Sequence, residues 1–167
     1  LLDLLQANFL SFETGDSPLD MLWLNQGDGV FIDATESMEM YTSQGTGKAG
    51  RGVAPADWDN DGDSDVFVSN YRLHRNFAWQ NNGDGSFTHL TQNGPLQGVP
   101  TEVGPLQYYY GHTIGSAWGD VDGDGDSDLF CANLAHPRFL HFSNRSMFLK
   151  NLLMEEGEAS FIDVAEE

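Results

Sequence analysis

Short apolar runs, broken every few residues by glycine, asparagine or aspartate, set the rhythm of this chain. Asp65-Val-Phe-Val-Ser-Asn-Tyr71 and Asp128-Leu-Phe-Cys-Ala-Asn-Leu134 are rich in strand formers, and each predicts a β-strand. Before them stand Gly52-Val-Ala-Pro-Ala56 and Gly115-Ser-Ala-Trp-Gly119, small and glycine-bounded, which also suit strands. Phe77-Ala-Trp-Gln-Asn-Asn-Gly-Asp-Gly-Ser-Phe87 predicts a hairpin, because Asn-Gly and Asp-Gly supply residues that tolerate positive φ between apolar flanks. Leu22-Trp-Leu-Asn-Gln-Gly-Asp-Gly-Val-Phe31 is the same element earlier in the chain. A longer version runs from Met147-Phe-Leu-Lys-Asn151 through a Glu/Gly turn to Ala159-Ser-Phe-Ile-Asp163.

Between the paired strands lie two acidic loops, Asp57-Trp-Asp-Asn-Asp-Gly-Asp-Ser-Asp65 and Asp120-Val-Asp-Gly-Asp-Gly-Asp-Ser-Asp128, 63 residues apart (120 − 57). Each carries aspartates at relative positions 1, 3, 5, 7 and 9 and a glycine at position 6. Five carboxylates in nine residues repel one another unless a cation sits among them. A hard divalent ion that takes six to eight oxygens is the natural partner, which points to calcium, at least two ions in all. The glycine allows the sharp turn around the ion. An EF-hand is excluded: position 12 is Val68 or Cys131 instead of a bidentate glutamate, and strands flank the loops instead of helices.

The repeat is larger than the loop. Each unit reads strand, acidic loop, strand, connection, strand, turn, strand. Asp3-Leu-Leu-Gln-Ala-Asn-Phe9 aligns with 65–71, which makes Asp3 the ninth position of a third loop and a further candidate ligand. The expectation is therefore an all-β chain built of four-stranded antiparallel propeller blades repeating about every 63 residues, a partial propeller. Residues 1–48 form a partial blade holding strands 2–4, and 49–92 a complete blade with its calcium loop at 57–65. An insertion loop at 93–111 precedes a second complete blade at 112–167, with its calcium loop at 120–128. The chain opens inside a repeat and without methionine, so it is expected to be a fragment or a processed piece.

Charge narrows the partners. The chain holds 26 acids against 7 bases, a formal −19, of which the loops supply ten acids. Two bound divalent ions would leave about −15, and the metal-free form repels itself. Nucleic acid and anionic lipid need basic patches and are not expected as partners. No run of about 20 apolar residues is present, so membrane insertion is not expected either. Cys131 is the single cysteine and lies at an apolar strand position, where a buried inert thiol is expected. Loops without EF-type closure suit millimolar calcium, hence a secreted protein in an extracellular or periplasmic setting.

These motifs together resemble a known family. Strand, Asp-x-Asp-x-Asp-Gly-x-x-Asp, strand, then Asn-x-Gly-Asp-Gly-x-Phe is similar to the FG-GAP/VCBS repeat of integrin-α-like β-propellers. Ser160-Phe-Ile-Asp-Val-Ala-Glu166 and the stretch from Ala56 through Asp63 look most like its ASPIC/UnbV, cartilage-acidic-protein-like branch. The resemblance implies a propeller, often seven-bladed, with calcium in the loop between the first two strands of each blade. It implies that Asp57, Asp59, Asp61 and Asp65 coordinate through carboxylates and Asp63 through its carbonyl. In the second loop Asp120, Asp122, Asp124 and Asp128 would take the same roles, with Asp126 giving its carbonyl. Departures are the truncated first loop, the 93–111 insertion and the extended turn around 155–158.

Other candidates are weaker. Tyr108, Tyr109, Tyr110 and His112, with Gln107, form an aromatic group in the insertion, and Arg138 lies in another connection; these are the candidate ligand-facing residues. A packed aromatic loop is the plainer reading. Trp23 and Trp79 hold matching strand positions and are expected in the core, and Asn144-Arg-Ser146 fits a glycosylation sequon. The expected function is a calcium-stabilised, non-catalytic scaffold for extracellular adhesion, recognition or assembly. Its partner would be a protein or glycan, or a second copy joined by strand addition into an oligomer or filament. The alternative is a lectin or part of a carbohydrate-active enzyme of polysaccharide-lyase or sugar-dehydratase type, using His112, the tyrosines and Arg138.

Overall fold

The computed structural model describes residues 3–11, 13–38, 47–90, 94–98, 110–135 and 144–165. Three antiparallel sheets follow one another along the chain. The first has three strands, β1 (Leu4–Gln6), β2 (Met21–Gly27) and β3 (Val30–Asp33), in that order. The second holds β4 (Ala49–Ala56), β5 (Asp65–Tyr71), β6 (Phe77–Asn81) and β7 (Phe87–His89), each paired with the next. The third repeats that order with β8 (Thr113–Gly119), β9 (Asp128–Asn133), β10 (Met147–Asn151) and β11 (Phe161–Asp163). The fold is all-β, as the hydrophobic pattern predicts, with sheets arranged like successive propeller blades. A single helical turn at Leu153–Glu156 and 3₁₀ turns at Thr35–Met38 and Pro95–Gln97 interrupt it.

Period-2 alternation decides how the sheets stack. Along β5, Val66 and Val68 point to one face, with Trp79 and Phe77 opposite them on β6, and they pack against Leu22 and Leu5 of the first sheet. Phe67 and Ala78 point the other way and meet Leu129, Cys131, Met147 and Leu149 of the third sheet. The middle sheet is thus covered on both faces, and Phe67 is fully buried. Phe130 is its counterpart in the third sheet (67 + 63), yet it is 47% exposed, because that face points away from the middle sheet. Leu4, the counterpart of Val66, is 49% exposed at the other end of the stack.

One clamp recurs in all three sheets. The backbone N–H groups of Asn8, Asn70 and Asn133 donate to the side chains of Asp20 (2.7 Å), Asn76 (2.9 Å) and Ser146 (3.2 Å). Their own side-chain amides donate to the carbonyls of Leu19, Arg75 and Arg145. Each asparagine thereby ties the end of one strand to the start of the next. Part of the insertion also joins the core: Pro95–Gln97 forms a turn whose Leu96 is buried between the second and third sheets. Cys131 is buried as expected, and burial pushes its thiol up to about 12, outside any reactive range.

The turn after β5 places Arg72 and Leu73 in the left-handed region, at φ 59° and 65°. It brings His74 Nδ1 within 3.0 Å of the Ala49 N–H, which it accepts. Burial, aided by Lys48 and Arg72, holds this imidazole down to about 4. An unfolded histidine titrates near ~6.5. Between those values the unfolded chain takes up a proton that the folded one refuses, so stability falls as pH drops through this window. His89, stacked on Trp79 at 4.3 Å and also held down to about 4 by burial, acts in the same direction. Asp20, raised to about 6 by burial, opposes them: its contribution is present below about 4 and lost as pH rises through 6. His74→Gln keeps an acceptor without the titration. It is expected to reduce the loss of stability between pH 7 and pH 5 by at most about 1 kcal/mol after solvent screening, read from urea midpoints at constant ionic strength.

Candidate metal centre

Both acidic loops sit at the corner where the first strand of a four-stranded sheet turns into the second, and both are built the same way. The position-1 carboxylate gathers the loop's own backbone. Asp57 accepts the N–H groups of Asp61 (3.1 Å) and Gly62 (3.0 Å), and Asp120 those of Gly123 (2.7 Å) and Gly125 (3.2 Å). Such bonds curl the chain back over its first residue. Gly62 and Gly125 at position 6 have φ of 97° and 103°, which L side chains rarely adopt, so glycine is required there. The position-5 carboxylates continue the winding, with Asp61 accepting from Asp63 N–H (2.9 Å) and Asp124 from Asp126 N–H (3.1 Å).

The position-9 aspartates do a different job. Asp65 is fully buried; one oxygen accepts the N–H of Trp58 (3.0 Å) and the other that of Asn81 on β6 (2.8 Å). Asp128 accepts from Val121 (2.9 Å) and Asn151 (3.0 Å) in the same manner. Asp3 accepts from Asn25 (2.8 Å), which places it at the same point of the first sheet. These carboxylates close the loop onto the third strand of each sheet. Burial raises Asp65 to about 6 against the two N–H groups that lower it, with Asp59 and Asp61 raising it further.

The loops gather oxygens as a metal site requires. Carboxylate oxygens of Asp57, Asp59 and Asp61 lie within 4.8 Å of one another, as do those of Asp120, Asp122 and Asp128, and of Asp122, Asp124 and Glu155. In the second loop, a buried oxygen of Asp126 has no hydrogen-bond partner, and a buried oxygen of Asp124 faces only the Lys150 ammonium at 3.6 Å. Burial raises Asp126, which the Met154 N–H only partly offsets. An all-oxygen set holding an orphaned buried acceptor fits a hard divalent cation. Of the residues anticipated from sequence, the first loop brings together Asp57, Asp59 and Asp61, and the second Asp120, Asp122, Asp124 and Asp128, whereas Asp63, Asp65 and Asp126 stand outside these clusters.

Three groups escape a reading of the loops alone. Glu155, on the helical turn after β10, joins the second cluster. Gln80 donates its amide to Asp59, and Lys150 places its ammonium 2.5 Å from Asp122 and 2.7 Å from Glu155. Both precede the asparagine that bonds the position-9 aspartate, so alignment on Asn81 and Asn151 is the signal that finds them.

The candidate ligand-facing residues are only partly described. Tyr108, Tyr109 and Arg138 lie outside the described residues. Tyr110 donates its hydroxyl to Gln97 (3.1 Å), and the His112 ring lies 4.6 Å from Tyr71. Both therefore take part in packing. A cavity of about 280 Å³ lies between Leu90, Leu96 and Phe161, and among the described residues no titratable side chain lines it. Among the described residues no helix is long and apolar enough to cross a membrane.

The FG-GAP-like repeat family matches residues 2–68 and again 57–131. Human cartilage acidic protein 1 is 28% identical over 117 residues, which is 70% of this chain and 16% of that protein. The chain thus spans about a sixth of the length of that relative.

Proposed function

Because the chain belongs to the FG-GAP-like repeat family, we propose that it is a calcium-stabilised, non-catalytic run of β-propeller blades serving extracellular adhesion, recognition or assembly. One observation carries the reading. An acidic loop of the same aspartate spacing recurs at the same sheet corner, its position-1 and position-9 carboxylates held alike by backbone N–H groups and at least three of its carboxylates converging in each copy. The ion's role is structural. It neutralises the loop and fixes the corner between the first two strands, so the connections between strands are displayed from a rigid base.

The partner is a protein or glycan. The outward faces of the first and third sheets, with Leu4 and Phe130 about half exposed, also suit a second copy or further blades. Two calcium ions per chain are expected in a calorimetric titration. At tenfold excess over the dissociation constant each contributes about 1.4 kcal/mol. Chelation is then expected to lower the melting temperature by roughly 5–10 °C, and size-exclusion runs in the same two buffers read self-association. An unchanged melt together with no heat of binding defeats the proposal.

A further inference from the structure

We infer that Lys150 makes the two calcium loops unequal, holding the second at lower calcium affinity than the first. The inference rests on the calcium reading above and goes beyond it. The two loops match residue for residue at positions 1, 3, 5, 7 and 9, so their own carboxylates give them the same formal charge. The difference comes from the third strand of each sheet. Asn81 and Asn151 donate to the position-9 aspartates and are therefore structural counterparts. The residue before each reaches the position-3 carboxylate: neutral Gln80 to Asp59, cationic Lys150 to Asp122.

Lys150 does more than touch one carboxylate. Its ammonium lies 2.5 Å from Asp122, 3.6 Å from Asp124 and 2.7 Å from Glu155, among the oxygens that converge in the second loop. It acts as a tethered cation that satisfies the same acceptors a metal needs. Glu155 adds a carboxylate that the first loop lacks, but the ammonium pairs with it while also holding Asp122 and Asp124, so calcium entering this loop must compete with that positive charge, whereas in the first loop it displaces only a neutral amide. Glu155 gives the ammonium somewhere to retreat, so binding is weakened and not abolished. The consequence is a graded response: the first loop fills at lower calcium, and the second fills later while Lys150 holds its carboxylates together in the meantime.

Charge-exchange variants test this in the intact chain. Calcium titrations by calorimetry are made on the parent, Lys150→Gln and Gln80→Lys, with Asp57→Asn or Asp120→Asn used to assign each event to its loop. Lys150→Gln is expected to tighten the second loop by about tenfold, and Gln80→Lys to weaken the first by a similar factor, as a nearby unit charge at partial screening requires. Melting adds a readout that a purely structural lysine would not move. Lys150→Gln should melt lower than the parent in chelator yet gain more from calcium, whereas a structural lysine lowers both melts alike. Equal affinities in the parent, or a second-loop affinity unmoved by Lys150→Gln, overturn the inference and leave the calcium reading standing. Absence of binding at both loops overturns the two together.

Discussion

Trp58→Ala is expected to destabilise the folded chain by about 3 kcal/mol, while Val121→Ala, at the same position of the other loop, changes stability by no more than about 0.5 kcal/mol. The two residues are counterparts, 63 positions apart (121 − 58), but their surroundings are opposite. Trp58 is fully buried, whereas Val121 is 66% exposed. The Trp58 indole lies in the seam between the second and third sheets, 5.2 Å from Trp118 and edge-on to Phe161 at 6.5 Å. Truncating a buried tryptophan to alanine costs about 3–5 kcal/mol through lost burial and the cavity that remains. Its indole N–H has no acceptor, and removing that orphan returns about 1 kcal/mol, so the lower end of the range wins. Trp118 Nε1 donates to the Ala54 carbonyl (3.0 Å) and Asn151 Nδ2 to the Trp58 carbonyl (2.8 Å). These bonds cross the same seam, so the loss should appear as early release of the third sheet. Urea unfolding followed by tryptophan fluorescence and by circular dichroism checks this; a Trp58→Ala midpoint close to the parent's would show that the seam carries little of the stability.

That pair also shows where sequence reasoning stops. Strands, hairpins and acidic loops were legible because each is encoded within about ten consecutive residues: period-2 runs, Asp-Gly turns and alternating aspartates. Alignment alone sets Asp3 level with Asp65 and Asp128, and the bond it accepts from Asn25 matches those from Asn81 and Asn151. Trp58 and Trp118 were illegible as partners because they occupy different offsets within their repeats and meet only across two sheets. The asparagine clamp stood in plain view as Asn8, Asn70 and Asn133. It had no meaning, however, until Asp20, Asn76 and Ser146, three different residue types, were seen to play one part. Lys150 is illegible for a related reason. A lone base on an apolar strand carries no loop signature, and its role follows only from the register that sets it over Asp122 and Glu155. Leu96 is illegible for the same reason, since only the fold shows a Pro-led turn carrying that side chain into the core.

Asp65→Ala is expected to cost about 3–4 kcal/mol in saturating calcium but only about 1 kcal/mol in chelator. Two effects oppose each other at this residue. Its carboxylate satisfies the N–H groups of Trp58 and Asn81 in a fully buried corner. Alanine leaves both donors stranded, at about 1–3 kcal/mol each. Against that, burial raises this acid to about 6, so at neutral pH the folded chain holds a charge that its surroundings disfavour by up to about 3 kcal/mol. Without metal, deleting the charge removes that penalty, and much of the cost of the stranded donors is offset. With calcium bound nearby, the negative charge is already favourable. Nothing is then returned on its removal, and the substitution also loosens the loop that holds the ion. The contrast between the two buffers is therefore the diagnostic quantity, larger than the effect in chelator itself. Thermal melts of parent and Asp65→Ala in calcium and in chelator measure it. Equal destabilisation in both would mean that Asp65 works only as a backbone clamp and feels no cation in the loop above it.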